Sequence, residues 1–455
     1  IYALLAGLFF FCAQSNANHL IVVSPKGSDK ALGTVERPFL TVERALSEAK
    51  KYAGDTVDIR LRGGIYRLSE TVRVTGFENL TIAPYRQEKV SFEGGISIAP
   101  KWLRPVGNRD LLERMRPEVR ERVREIDVRA LGASLSGFGR VAMPAWSELF
   151  IDGVPQQIAR WPNDSTVLIG KVHCTGDIPR NHQTGIGDPV FEYLEERPSE
   201  WHNVENAWIA GYFGYGYADD MIPLKAVNAA KKTITGGIPT LYGFRSGEPF
   251  LRWYALNLLE EIDMPGEYVI DAQAGKLYLL PPEGKFKEIR ISLLGTPMFS
   301  ISECRNVTLR GVTLEYARGM GVYIERSEHT RVDSCVIRNL GYVGVCIGRG
   351  DLPQNADIYY ASHDGSRKHP DGVPEVIGNL SNRLYDDRLF DRQAGRDNGV
   401  SNCLIYQVGS GGVSLGGGQR KTLTPAGNYV ENCRIYDFNR VERSYRPGIG
   451  VDGVG

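Results

Sequence analysis

The sequence predicts an all-β protein: a parallel β-helix (solenoid) carrying an inserted antiparallel β-sandwich domain. Three observations predict it. One apolar spacing recurs four times late in the chain: Leu309, Val312, Leu314; Val332, Cys335, Ile337; Val400, Cys403, Ile405; and Val430, Cys433, Ile435. Three of these units then turn through glycine into a further short strand, at Gly321-Val322-Tyr323-Ile324, Gly344-Val345-Cys346-Ile347 and Gly412-Val413-Ser414-Leu415. Such a unit, about 23 residues long, cannot bury its apolar side alone and must stack on copies of itself. Alternate residues then point into a narrow core. Finally, Asn79-Leu80-Thr81-Ile82 has the phrasing of Asn306-Val307-Thr308-Leu309, as expected of one solenoid interrupted by an insertion.

Composition agrees. The chain has 455 residues, room for two or three domains, and its 52 Gly, 22 Tyr and 16 Phe favour β structure. Lys plus Arg equals Asp plus Glu at 54 each, which argues against a nucleic-acid or anionic-membrane partner. A charged sugar bound in a local cleft stays open. Seven cysteines include no CxxC pair and no metal-ligand spacing. Cys335, Cys403 and Cys433 share one repeat position, as a buried ladder would.

The elements follow in order. Residues 1–17 resemble a secretory signal peptide: an apolar run through Phe9-Phe10-Phe11, then Ser15-Asn16-Ala17 with small residues before the cut. The run is too short for a membrane span, and the missing Met and basic region make a truncated start the expectation. Residues 18–96 read as opening coils, with strands near 19–23, 57–61, 71–74, 80–82 and 90–92. A short amphipathic helix is capped by Thr41 and buries Ala45, Leu46 and Ala49, covering the open end of the stack. Residues 97–290 change texture. The Glu/Arg run at 109–129 reads as a solvated face, and longer alternating segments follow at 148–153, 253–258, 267–271 and 276–280, the inserted β-sandwich. Coils resume over 291–455, interrupted by a polar loop at 350–397. The last unit stops as its strand forms, so further coils are expected.

Several stretches resemble a known group. Val23-Ser24-Pro25-Lys26-Gly27-Ser28-Asp29 with Pro38-Phe39 resembles the opening of secreted bacterial right-handed parallel β-helix enzymes acting on polysaccharides. Glu148-Leu149-Phe150-Ile151-Asp152-Gly153, Ala159-Arg160-Trp161-Pro162-Asn163, Tyr254-Ala255-Leu256-Asn257-Leu258-Leu259-Glu260 and Gly411-Gly412-Val413-Ser414-Leu415 sharpen it toward glycoside hydrolase family 141. The resemblance implies a right-handed β-helix with an intruding sandwich and a sugar-cleaving site on the helix surface. It also implies an acid pair late in the helix.

Candidate site residues come from the repeat. With Val430, Cys433 and Ile435 inward, an outward column holds Glu315, Arg338, Tyr406 and Tyr436, a strip on which pyranose rings can stack. Glycoside hydrolysis commonly uses two carboxyl groups, about 5–5.5 Å apart for retention or roughly 6.5–9.5 Å for inversion. Asp437, at the strand-to-loop junction where other units carry Tyr316, Asn339 and Gln407, is the best single candidate; a turn-capping role is its alternative. Asp452 and Asp397 are further candidates, with Glu442 and Glu431 behind them. Arg420 and Lys421 follow Gly416-Gly417-Gly418-Gln419, and Arg446 sits near Arg443 and Tyr445; both clusters are candidate contacts for substrate hydroxyls or a carboxylate. The aromatics Tyr212, Phe213, Tyr215 and Tyr217 read as sandwich core or as sugar platforms.

The leading expectation is therefore a secreted or periplasmic glycoside hydrolase, monomeric, with a polysaccharide or oligosaccharide substrate and no cofactor. A polysaccharide lyase using Lys421 or an Arg, with Ca²⁺ neutralising a uronate, is the alternative, as is a non-catalytic carbohydrate-binding solenoid.

Overall fold

The computed structural model describes residues 17–138, 145–178, 181, 183, 185–240, 242–348, 376–377, 380–381 and 393–454. Residues 1–16 of the expected leader (1–17) and most of the polar loop at 350–397 lie outside the described residues, as does the side chain of Asp452. The chain is mostly β, and three parallel sheets dominate it. The first contains Asn18–Val23, Thr56–Leu61, Leu80–Pro84, Thr308–Arg310, Arg331–Asp333, Gly399–Ser401 and Tyr429–Glu431. The second contains Gly64–Arg67, Val90–Glu93, Thr313–Ala317, Val336–Leu340, Leu404–Val408 and Arg434–Tyr436. The third contains Val72–Thr75, Phe299–Ser302, Val322–Glu325, Val345–Ile347, Val413–Gly417 and Ile449–Gly453. Within each sheet, spatial order follows chain order. From Thr56 onward these strands visit the three sheets in strict rotation, an arrangement compatible with a β-helix.

Register explains the sequence repeat. Val332 lies opposite Val400, and Val400 opposite Val430. Ile337, Ile405 and Ile435 align in the second sheet, and Val322, Val345, Val413 and Ile449 in the third. Most of these side chains, with Cys335 and Cys403, fill one continuous core; Val430, Cys433 and Ile435 pack against it partly buried, Ile449 is exposed in the last strand, and all three thiols are free. Corners use the left-handed region. Gly311, Ser334, Asn402 and Asn432 have φ of 68°, 55°, 55° and 48° at the turn from first to second sheet. Asn432 Nδ2 donates to Asn402 Oδ1 at 2.6 Å, and Asn402 Nδ2 to Asp333 Oδ1 at 2.7 Å. Asparagine tolerates this backbone, and its amide supplies the link between neighbouring units.

The helix Val42–Ala49 forms with Thr41 as N-cap, its hydroxyl accepting from Arg44 N–H, and buries Val42, Ala45, Leu46 and Ala49. The chain between Glu93 and Phe299 forms antiparallel sheets instead. Gly95–Ile98 pairs with Ile289–Ser292, which pairs with Leu149–Ile151. A larger sheet centres on Trp208–Tyr212, flanked by Asp220–Asn228 and Arg252–Leu256. A further sheet joins Arg124–Asp127, Lys276–Leu279 and Tyr268–Asp271.

The run at 109–129 departs from the solvated face expected of it. Met115, Val119 and Val123 are buried against Leu259, Ile262 and Leu280. Arg114 and Arg116 pair with buried Glu260 and Glu261 at 3.0 and 3.1 Å. Apolar residues four apart inside a charged run were enough to dock it.

Candidate functional site

Connection lengths single out one sheet. The turn from first to second sheet is two residues long in most units, at 62–63, 311–312, 334–335, 402–403 and 432–433. Long connections flank the third sheet. The whole antiparallel region (94–298) and residues 437–448 enter it, while 348–398 and 418–428 leave it. Its outer face is the floor that the described connection 437–448 adjoins, and most of its outward residues are themselves buried. Because Val322 and Ile324 face the core, Tyr323 and Glu325 face outward, in rows with Ser300, Cys346 and Ser414, and with Ser302, Gly416 and Asp452. Tyr323 donates to Glu325 at 2.9 Å, and Arg326 lies 2.7 Å from the same carboxylate. Met320, Tyr323, Tyr342, Val343 and Cys346 pack together beside this floor.

The segment 437–448 forms one wall and reaches the antiparallel region. Arg440 makes a two-pronged ion pair with Glu148 at 2.6 and 3.1 Å. Backbone N–H groups of Arg443 and Ser444 each donate to Asp219 at 3.2 Å. Glu442, directly before them, accepts from Ser410 Oγ at 2.7 Å and lies 3.0 Å from Arg446 Nε. Arg446 in turn stands over the Tyr342 ring at 5.8 Å, which ties the wall to the floor. Asp219 and Glu442 are both buried, and the backbone just after Glu442 is bonded to Asp219 although the two lie in distant parts of the chain. Burial is the main cause that pushes the Asp219 carboxyl above its ordinary value, against the pull of Ser444 and the two backbone donors. Tyrosines form the rim. Tyr215 and Tyr217 stack at 5.2 Å, Tyr242 meets Tyr215 edge-on at 4.9 Å, and Tyr445 meets Tyr217 edge-on at 6.2 Å. Tyr217 and Tyr445 are 53% and 46% exposed, so these rings present surface to solvent within a few residues of buried Asp219 and Glu442 in sequence.

The residues singled out from sequence fall on several faces. Glu315, Arg338, Tyr406 and Tyr436 do align in one row of the second sheet. Arg338 joins Glu315 at 2.8 Å and donates to the Tyr406 hydroxyl at 2.9 Å, and Tyr406 stacks on Tyr436 at 5.1 Å. Glu315 is buried and also accepts from Ser91 at 2.6 Å, so much of this row's polar capacity is used internally. Asp437 is exposed, with φ of 49° at the corner where Tyr316, Asn339 and Gln407 have φ of 58°, 52° and 53°. That shared bend accounts for its backbone. Asp397 precedes the first sheet, 3.9 Å from His329, and Asp452 belongs to the last third-sheet strand. No hydrogen bond or ion pair joins Asp437 and Asp397 among the described residues. Arg420 sits in the turn closed by Gln419 and Thr424, and Arg446 lies between Glu442 and the Tyr342 ring. Of the insert aromatics, Phe213 is core while Tyr215 and Tyr217 belong to the rim. Asp219 and Asp220 were not singled out, although Tyr215-Gly216-Tyr217-Ala218-Asp219-Asp220 sets aromatic rings beside paired acids, a visible signal.

No protein-family model and no curated protein matches this sequence. Among solved structures, the chain superposes on one described as "Glycoside hydrolase" with a TM-score of 0.58 and 16% identity, over 95% of this chain and 85% of that one. It also aligns with "The complex structure of XylC with xylose", at a TM-score of 0.47 and 13% identity over 95% and 56% of the two chains. "Rhamnogalacturonan lyase" follows at a TM-score of 0.32 and 10% identity, over 96% and 62%. The first of these shows a shared fold, and fold alone leaves the reaction open. Among the described residues no helix is long and apolar enough to cross a membrane.

Proposed function

We propose that this chain is an exported glycoside hydrolase that cleaves a plant or host polysaccharide in the cleft over the third sheet. The reading takes the three parallel sheets as walls of one right-handed solenoid and residues 97–290 as an inserted β-sandwich. One observation carries it: exposed Tyr217 and Tyr445 meet edge-on where two segments join, and each segment carries a buried carboxylate next to its tyrosine, Asp219 and Glu442. Tyrosine rings offer faces on which pyranoses stack. Hydrolysis needs one carboxyl group that keeps its proton to give to the leaving oxygen and another that is ionised. Asp219, in which burial favours the neutral form, suits the first role. Glu442, beside Arg446 and Ser410, suits the second. Arg446 is then a substrate contact at the cleft wall. Asp437, which opens the 437–448 wall, Asp452, in the strand that follows it, and Asp397 remain proposed carboxylates for either role. Tyr436, Tyr406 and Arg420 remain proposed sugar contacts outside the cleft. As proposed, the reaction needs no metal and the enzyme works as a monomer.

The test is an assay of the purified chain against neutral and uronate-containing polysaccharides, following new reducing ends and ultraviolet absorbance together. Reducing ends without absorbance, lost in Asp219→Asn and Glu442→Gln, are expected. An absorbing unsaturated product would assign lyase chemistry instead. Full activity in both variants would move the acid pair to Asp437, Asp452 or Asp397, each tested as its Asn variant.

A further inference from the structure

A second concave surface lies on a different face. A groove of about 1060 Å³ opens at the corner between the first and second sheets, far in chain topology from the tyrosine-rimmed cleft. It crosses four strands of the second sheet, from Gly64 and Ser91 to Thr313 and Arg338. At the usual inter-strand spacing of about 4.8 Å, that is a span of roughly 14 Å. Pockets for single small molecules run to about 1000 Å³, so this groove has room for an extended ligand.

Its charge is one-sided. Arg60, Arg86, Lys89, Arg310 and Arg338 line it, against two carboxylates, Glu88 and Glu315. Both carboxylates are neutralised locally: Glu315 by Arg338 at 2.8 Å, and Glu88 by Arg62 at 2.9 Å together with the Gly63 N–H. Arg60 and Arg310 have partners outside the lining, Asp58 and Asp333 at 2.9 and 2.7 Å. Arg86 and Lys89 have no ion-pair partner among the described residues. With these pairs counted, the cationic excess of the groove comes from Arg86 and Lys89, a local feature in a chain of zero formal net charge.

We infer that this groove binds an anionic oligosaccharide, one carrying carboxylate or sulfate groups along its length, as a site separate from hydrolysis. Arg86 and Lys89 supply charge-assisted hydrogen bonds to its anionic groups, and Arg60 and Arg310 add field at the edges. The inference goes beyond the proposed hydrolase and does not depend on it.

The experiment measures binding of fluorescently labelled oligogalacturonate, a sulfated oligosaccharide of equal length and a neutral xylo-oligosaccharide to the full chain, at low and high salt. Arg86→Glu/Lys89→Glu is compared with wild type, and Asp219→Asn serves to keep the first cleft inactive. Loss of two charge-assisted bonds predicts affinity for the acidic ligand about tenfold or more weaker. High salt should weaken wild-type binding in the same direction. Preference for the uronate or for the sulfate both support the groove and identify its anion. Equal binding of the neutral ligand, or unchanged affinity in the double variant, overturns the inference. Loss of acidic-ligand binding in Asp219→Asn alone would place that ligand in the other cleft and overturn it too.

Discussion

Gly344→Ala tests the stacking of the units most directly. Gly321, Gly344 and Gly412 open the third-sheet strands of successive units. A Cβ on Gly344 would lie 2.6 Å from the carbonyl oxygen of Gly412 and 2.8 Å from Ile405 Cγ2. The first atom is backbone held in the parallel ladder, so it cannot swing aside as a flexible side chain would. The second belongs to a core residue locked between Ile337 and Ile435. Relief requires the two units to separate by several tenths of an ångström, at the cost of contacts along the core. Overpacking of this kind costs about 1–3 kcal/mol, and the backbone contact argues for the upper half of that range. For a chain of this size such a loss lowers the thermal midpoint by about 2–4 °C. Gly107→Ala is the control, because nothing lies within 4 Å of its added Cβ. Midpoints from far-ultraviolet circular dichroism, with both variants in one buffer, decide the matter. If Gly344→Ala melts with the control, the in-register contact of neighbouring units is wrong, and the cleft built on it loses its floor.

Three further outcomes are expected. Burial raises the Glu267 carboxyl to about 7, opposed by N–H donors from Asp263 and Met264. Its folded value lies above the unfolded one, so its contribution is fully present below about pH 4.5 and is lost as pH rises through 7. That contribution is on the order of 3 kcal/mol, and Glu267→Gln should flatten the fall in thermal midpoint across this window; an unchanged slope refutes the assignment. Asn402→Ala loses the hydrogen bonds to Asp333 and Asn432 and places alanine at φ of 55°, costing about 1–3 kcal/mol by denaturant titration. Asn402→Gly, which accepts that backbone, should cost clearly less, and equal losses would show that the conformation is not what matters. If Asp219 donates the proton, activity falls as pH rises through its elevated value, and Asp219→Asn lowers kcat by about 10²–10⁴-fold with the high-pH limb removed. A limb that survives in the variant assigns it to another group.

Much of the stacked region was legible because its physics is local and repeated. Each unit must place apolar side chains at alternate positions and polar ones outside, so Val332, Cys335 and Ile337 announce the same strands as Val400, Cys403 and Ile405. Gly311, Ser334, Asn402 and Asn432 recur at one corner position for a related reason: left-handed backbone narrows the choice of residue. The helix beginning after Thr41 announced its cap and buried face within a dozen residues. The row Glu315, Arg338, Tyr406 and Tyr436 was found in register, since strand pairing carries sequence spacing into space.

The tyrosine-rimmed cleft was not legible in that way. Alternation tells which residues face outward on each strand, but every sheet has an outer face, and connection lengths single out the third only once strands are assigned. Asp219 meets the residue after Glu442 across more than two hundred positions, through hydrogen bonds that leave no periodic trace. The run at 109–129 shows the same limit, since its arginines read as solvated until Glu260 and Glu261 are seen beneath them. Repetition within the chain thus determined the strands, their inward residues and their corners. Only the tertiary structure decided which segments carrying buried acids and exposed rings meet, because that depends on where non-repeating segments dock, and docking is set by contacts that occur once.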